Sequence, residues 1–233
     1  MTIHLLSSPP FGEQFWTLVC DRLTEHGYEV QIQSPIENHA TLEGACVQLS
    51  NVISPNDHVV AHGLIVPLLL KFANKFPIKR AVVSNGPLTH LDPLSKTFSN
   101  LPRLLQQLYL NPTISFRFLR SSIGLRRAVV NPYVMDKEVV AEVCSPLHES
   151  SFRRNFTAYL EQLHSFVPPD SLKTELTAIW GDHDLLYPTT IATDLQNRYP
   201  NTKRIDIEGG KLLHPIERPW AIADLIHQEC QSS

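Results

Sequence analysis

The chain has little charge of either sign, few cysteines and no long apolar run. Lys, Arg, Asp and Glu make up 18% of the 233 residues, and the formal net charge is −3. Without a basic stripe there is no electrostatic footprint for nucleic acid, and that class of partner is excluded. The longest apolar run covers residues 64–70 and contains Pro67. It is far shorter than the about 20 residues a membrane-spanning helix needs, so no transmembrane segment is expected. Met1-Thr2-Ile3-His4-Leu5-Leu6 lacks the basic start and apolar stretch of a signal peptide. Cys20, Cys46, Cys144 and Cys230 are scattered without C-x-x-C spacing. They read as reduced, mostly buried thiols of a cytoplasmic protein, not as a disulfide framework or zinc site. No metal and no cofactor is expected.

What is present is an alternation of apolar runs and helical periodicity. Short apolar runs at 2–6, 28–32, 58–61 and 81–83 read as strands. Between them, residues 13–26, 42–52 and 64–76 carry the spacing of amphipathic helices. Gly27 stands where a helix C-terminal glycine would. Strands that alternate with helices predict a mostly parallel sheet with helices on both faces, an α/β fold. From residue 85 to about 172 the strand pattern stops. Helical pieces at 101–110, 115–122, 136–144 and 152–164 are punctuated by prolines at 93, 102, 112, 132, 146, 168 and 169. The alternation then resumes with strands at 176–180 and 203–207 and helices at 189–199 and 220–230. The expected organisation is a core made of 1–84 and 173–233 with a helical cap at 85–172.

The third strand leads into Ala61-His62-Gly63-Leu64-Ile65. In a strand–turn–helix of this kind, the G-x-S-x-G elbow holds a nucleophilic serine on a strained turn. Gly63 occupies the apex here. Glycine tolerates the strained backbone but offers no attacking group.

Two further segments complete a likeness. Trp180-Gly181-Asp182-His183-Asp184-Leu185-Leu186-Tyr187-Pro188 is similar to a W-G-x-x-D-x-x-x-P segment. Gly209-Gly210-Lys211-Leu212-Leu213-His214-Pro215-Ile216-Glu217-Arg218-Pro219 is similar to G-x-G-H-x-P-x-x-E-x-P. With the elbow region, these make the chain resemble the α/β-hydrolase fold superfamily over most of its length. The resemblance implies an N-terminally shortened sheet of about six strands, because the chain opens on the strand that two others usually precede. It maps the triad acid onto Asp184. Aligned without a gap, the triad base position falls on Leu212, and His214 lies two residues later. Ser7-Ser8 stands where the superfamily's oxyanion loop usually reads His-Gly. A serine-esterase mechanism through the usual positions is therefore not expected.

The catalytic candidates are Asp184 and His214. Asp184 lies at a strand C-terminus, where open α/β sheets place their sites. Its carboxylate suits a general base acting on water or on an acidic C–H. His214 would complete an acid–base pair if its loop is shifted by two residues. Ser7 or Ser8 would donate to an oxyanion beside the Leu64 N–H. Ser84 is a further strand-end hydroxyl without an evident base, and Asn85 is an amide that could meet a ligand. Gly63, Leu64 and Leu212 would form an apolar pocket floor. His62 reads as packing beneath the turn, and Asp182 and His183 as solvated loop residues. Phe98, Leu101, Leu104, Leu105, Leu108, Tyr109, Phe116, Phe118 and Leu119 read mainly as cap core, some of them lining a lid. Arg117, Arg120, Arg126 and Arg127 read as a solvated basic cluster or a partner for a substrate carboxylate.

Relatives of this fold include lyases and ester-removing enzymes of pigment and secondary metabolism. The resemblance thus implies ester or activated-carbonyl cleavage, or a lyase step, on an apolar small molecule, with a tetrapyrrole-type ester as one case. The alternative is a pseudohydrolase that binds an apolar ligand or a protein.

Overall fold

The computed structural model describes residues 1–89, 93–121 and 124–231; the side chains of residues 93 and 94 are not described. Six strands form one sheet: β1 (Thr2–Leu6), β2 (Glu29–Gln33), β3 (His58–His62), β4 (Arg80–Ser84), β5 (Glu175–Gly181) and β6 (Lys203–Ile207). Their order is β2-β1-β3-β4-β5-β6, and every pairing is parallel. Parallel neighbours need crossovers, and helices supply them. In chain order these are α1 (Thr17–Glu25), α2 (Pro35–Asn38), α3 (Leu42–Ser50), α4 (Val66–Lys75), then α5 (Pro93–Ser99) to α9 in the insertion. They are followed by α10 (Thr189–Arg198), α11 (His214–Glu217) and α12 (Pro219–Gln231).

The central strands β3 and β4 are buried at every residue, and edge strands β2 and β6 are only partly covered. That is the burial a sheet covered on both faces produces, and it explains the uninterrupted apolar runs of its middle strands. At the N-terminal ends of the strands, Arg80 reaches across to helix α12. Its guanidinium donates to the fully buried Glu229 at 2.8 Å, and Thr177 donates to the same carboxylate at 3.0 Å. A buried carboxylate is tolerated because it is paired and hydrogen-bonded.

Between β4 and β5 the described residues form only helices and turns. They include α6 (Arg103–Tyr109), α7 (Pro112–Leu119), α8 (Lys137–Val143) and α9 (Ser150–Leu163). Asp136 caps α8 by accepting from the Val139 N–H at 2.9 Å. The apolar residues of α6 and α7 do not all face inward as expected. Leu104 is 82% exposed, and Leu105, Leu108, Tyr109 and Phe118 are also exposed. Helix α6 spans only two turns, and nothing among the described residues covers its outer face. Residue 122, at the end of one expected helix, lies outside the described residues. Among the described residues, no helix is long and apolar enough to cross a membrane, and the four cysteines are free.

Candidate functional site

The C-terminal ends of β1, β3, β4 and β5 converge on one region. Strand β3 ends at His62 and turns through Gly63, whose φ is +65°, before α4 begins. This is the left-handed conformation that glycine adopts without penalty. A Cβ at Gly63 would lie 3.0 Å from Ser8 Oγ. The Ser8 hydroxyl, just past β1, thus stands against the apex that carries no side chain. The turn is pinned from above by Tyr159 of α9, whose buried hydroxyl donates to the Leu64 carbonyl at 2.8 Å.

A cavity of about 340 Å³ opens over this turn. Ser8, Gly63, Leu64 and Leu212 line it, as does Asp184, together with Phe118, Leu119 and Phe156 of the helical insertion. Four of the expected ligand-facing residues therefore share one wall system. Ser7 and Asn85 do not belong to it. The Ser7 hydroxyl is buried with no hydrogen-bond partner among the described residues.

Asn85 is fully buried, and its amide is committed to the protein. Its Oδ1 accepts from the Gly181 N–H at 2.8 Å, and its Nδ2 donates to Asp184 Oδ2 at 2.7 Å. Asn85 adopts φ +32°, a region that asparagine visits more readily than most residues. It is a positioning residue that ties β4 to β5, not a ligand contact. Asp184 Oδ1 accepts from the Leu186 N–H at 2.8 Å. The carboxylate is thereby oriented on both oxygens at the edge of the cavity.

His214 departs furthest from expectation. Its partner is Ser84, not Asp184. His214 Nε2 lies 2.8 Å from Ser84 Oγ, and Nδ1 lies 2.9 Å from the Lys211 carbonyl. The carbonyl can only accept, so Nδ1 carries the proton and Nε2 accepts from the Ser84 hydroxyl. Ser84 Oγ in turn accepts from His62 Nδ1 at 3.2 Å. The run of bonds is His62 to Ser84 to His214 to the Lys211 carbonyl. Desolvation lowers both histidines: His214 falls to about 4, and His62 falls well below the usual range with the nearby His214 adding to the effect. Both rings are neutral near pH 7.

Ser84 thus has a base within reach, which the sequence did not reveal, but neither Ser84 nor His214 lines the cavity. The loop after β6 brings His214 beneath the turn and leaves Leu212 at the cavity wall. His62 was expected only to pack. It does stack on Phe15 with ring centroids 5.1 Å apart, yet it also touches the cavity, and its Nε2 is buried with no partner. Its position directly before the apex was the available signal. Asp182 and His183 are exposed. No group of three or more metal-ligating side chains occurs among the described residues.

No protein-family model and no curated protein sequence matches the chain. Solved structures do. An esterase from Thermogutta terrifontis superposes with a TM-score of 0.72 at 14% identity, covering 100% of this chain and 90% of that one. The 2-hydroxy-6-oxo-6-phenylhexa-2,4-dienoate hydrolase of Rhodococcus sp. strain RHA1 gives 0.74 at 13% identity, with 100% and 90% covered. The epoxide hydrolase CorEH gives 0.73 at 16% identity, with 97% and 90% covered. At such identities the likeness speaks to architecture. Together with the strand order and the left-handed apex of the β3–α4 turn, it establishes that this chain has the α/β-hydrolase fold.

Proposed function

We propose that the protein binds an apolar small molecule in the cavity above Gly63 and does not hydrolyse it through a serine triad. The observation that carries this reading is the engagement of His214. Both of its nitrogens are hydrogen-bonded, and it is buried away from the cavity. A general base must reach the proton it removes. With glycine at the apex and leucine at the wall, the usual positions of the nucleophile and its base offer apolar contact instead. Its size is near the lower end of small-molecule sites, of order 300–1,000 Å³.

The test is binding of the neutral apolar dye N-phenyl-1-naphthylamine, followed by fluorescence, beside labelling with a fluorophosphonate and turnover of p-nitrophenyl butyrate. The expected result is saturable dye binding that Leu212→Trp abolishes, with no labelling and no turnover. Stoichiometric labelling of any serine would overturn the reading.

A second reading keeps an enzyme. Asp184 lines the cavity with both oxygens oriented by Asn85 and Leu186. It could activate water against an ester or activated carbonyl without a covalent intermediate. Turnover that Asp184→Asn removes, with dye affinity unchanged, would establish this reading in place of the first.

A further inference from the structure

Three cationic side chains stand where the cavity opens outward. Arg127 and Lys211 line the cavity itself, and both also line an outer groove of about 500 Å³ together with Arg126, Tyr133 and Leu185. None of the three cations forms an ion pair with a carboxylate among the described residues. The Arg126 Nε donates to the Pro132 carbonyl at 3.3 Å and Lys211 Nζ to the Val129 carbonyl at 3.0 Å, so both cations keep donors to spare.

On the far side of the middle cavity the chemistry changes. A second, open pocket of about 440 Å³ is lined by residues of α6 and α7 and shares Pro10, Ser95, Phe118, Leu119 and Phe156 with the first. Its wall carries no charged residue among those described and is dominated by Phe98, Leu101, Leu110, Leu147 and Leu160. Groove, cavity and apolar pocket therefore share walls in series, from cationic to apolar.

The acids nearby set the direction of a ligand. Glu217 is occupied by the Val130 and Asn131 N–H groups at 3.0 and 2.6 Å. Asp184 lies on the wall of the middle cavity and would repel an anion placed there. Resting on the binding role proposed above, we infer that the ligand is an anionic amphiphile. Its carboxylate is held in the groove by Arg127, Lys211 and Arg126, and its apolar body runs past Leu64 and Leu212 toward Phe118 and Phe156. Guanidinium and ammonium groups at the edge of a low-dielectric cavity bind carboxylate more strongly than the same groups in open water.

The experiment is calorimetric titration of the full chain with sodium decanoate and, separately, with decan-1-ol, both below their aggregation limits. Decanoate is expected to bind at least ten times more tightly than decanol, with an affinity that falls as NaCl is raised. Arg127→Gln combined with Lys211→Gln should remove that advantage while leaving decanol affinity unchanged, which also reports that the variant folds. Equal affinity for the two ligands in the native protein, or an advantage that survives both substitutions, would overturn the anionic-head assignment alone. Failure of both ligands to bind would overturn the binding role with it.

Discussion

Ser84 donates its hydroxyl to His214 across 2.8 Å, joining the end of β4 to the start of α11 over 130 residues of chain. The pair has the distance of a nucleophile and its base, yet it lies beneath the turn instead of in the cavity. Its work is structural. Ser84→Ala would leave a donor on His62 and an acceptor on His214 without partners, each costing about 1–3 kcal/mol. Urea unfolding should show a loss of about 2–4 kcal/mol with an unchanged m-value. A loss below the error of the method would show that the relay contributes nothing.

Asn85→Ala removes the amide that holds both Gly181 and Asp184, and places alanine at φ +32°. A loss of about 2–3 kcal/mol is expected from the broken bonds and the backbone together. Asn85→Gly keeps the backbone freedom and loses only the bonds, so it should fall between alanine and the native protein. Equal stability of both variants would remove the backbone from the explanation.

Gly63→Ser restores the residue type of an active elbow. The φ of +65° and the 3.0 Å approach of Ser8 Oγ predict a destabilisation of about 1–2 kcal/mol. No fluorophosphonate labelling should appear, because His214 accepts from Ser84 outside the cavity and His62 is turned with Nδ1 toward Ser84. Labelling of this variant would mean that a histidine serves the apex after all, either His214 released from Ser84 or His62 through its free Nε2, and adding His62→Phe or His214→Phe would tell which.

Stability should fall with acid. His214 titrates at about 4 in the folded protein, against 6.5 for an ordinary histidine, and His62 is lowered as well, both by burial. Between those values the unfolded chain binds more protons than the native one. The contribution is complete above 6.5 and is lost progressively down to about 4. Each histidine can contribute a slope of up to about 1.4 kcal/mol per pH unit there. Urea midpoints at pH 7, 6 and 5 should decline accordingly; a flat series would show that the rings become charged without unfolding the protein.

The architecture was open to reading because it rests on local signals. The alternation of short apolar runs and 3.6-residue periodicity predicted a parallel sheet, and Gly63 marked the turn by its position between strand and helix. Asp184 was placed at the end of β5 by the segment from Trp180 to Pro188. The partner of His214 was not open to reading. It depends on the path of residues 208–213, and a two-residue offset decides which ring nitrogen meets which side chain. Asn85 reads in the sequence as an amide that could meet a ligand because the two groups it serves, Gly181 and Asp184, lie almost a hundred residues away. Leu104, Leu105 and Leu108 have the spacing of a core face, but spacing cannot report whether a neighbour arrives to cover it.

The bond from Tyr159 to the Leu64 carbonyl bears on how a guest enters. Any motion that lifts α9 from the sheet strips a buried phenol and a buried carbonyl of each other, at about 1–3 kcal/mol for each group left dry. Leu104, Leu105 and Leu108 of α6, by contrast, already meet water. The anchor of the insertion on the core is thus α9, and a guest that arrives by the groove at Arg127 and Lys211 leaves that anchor in place.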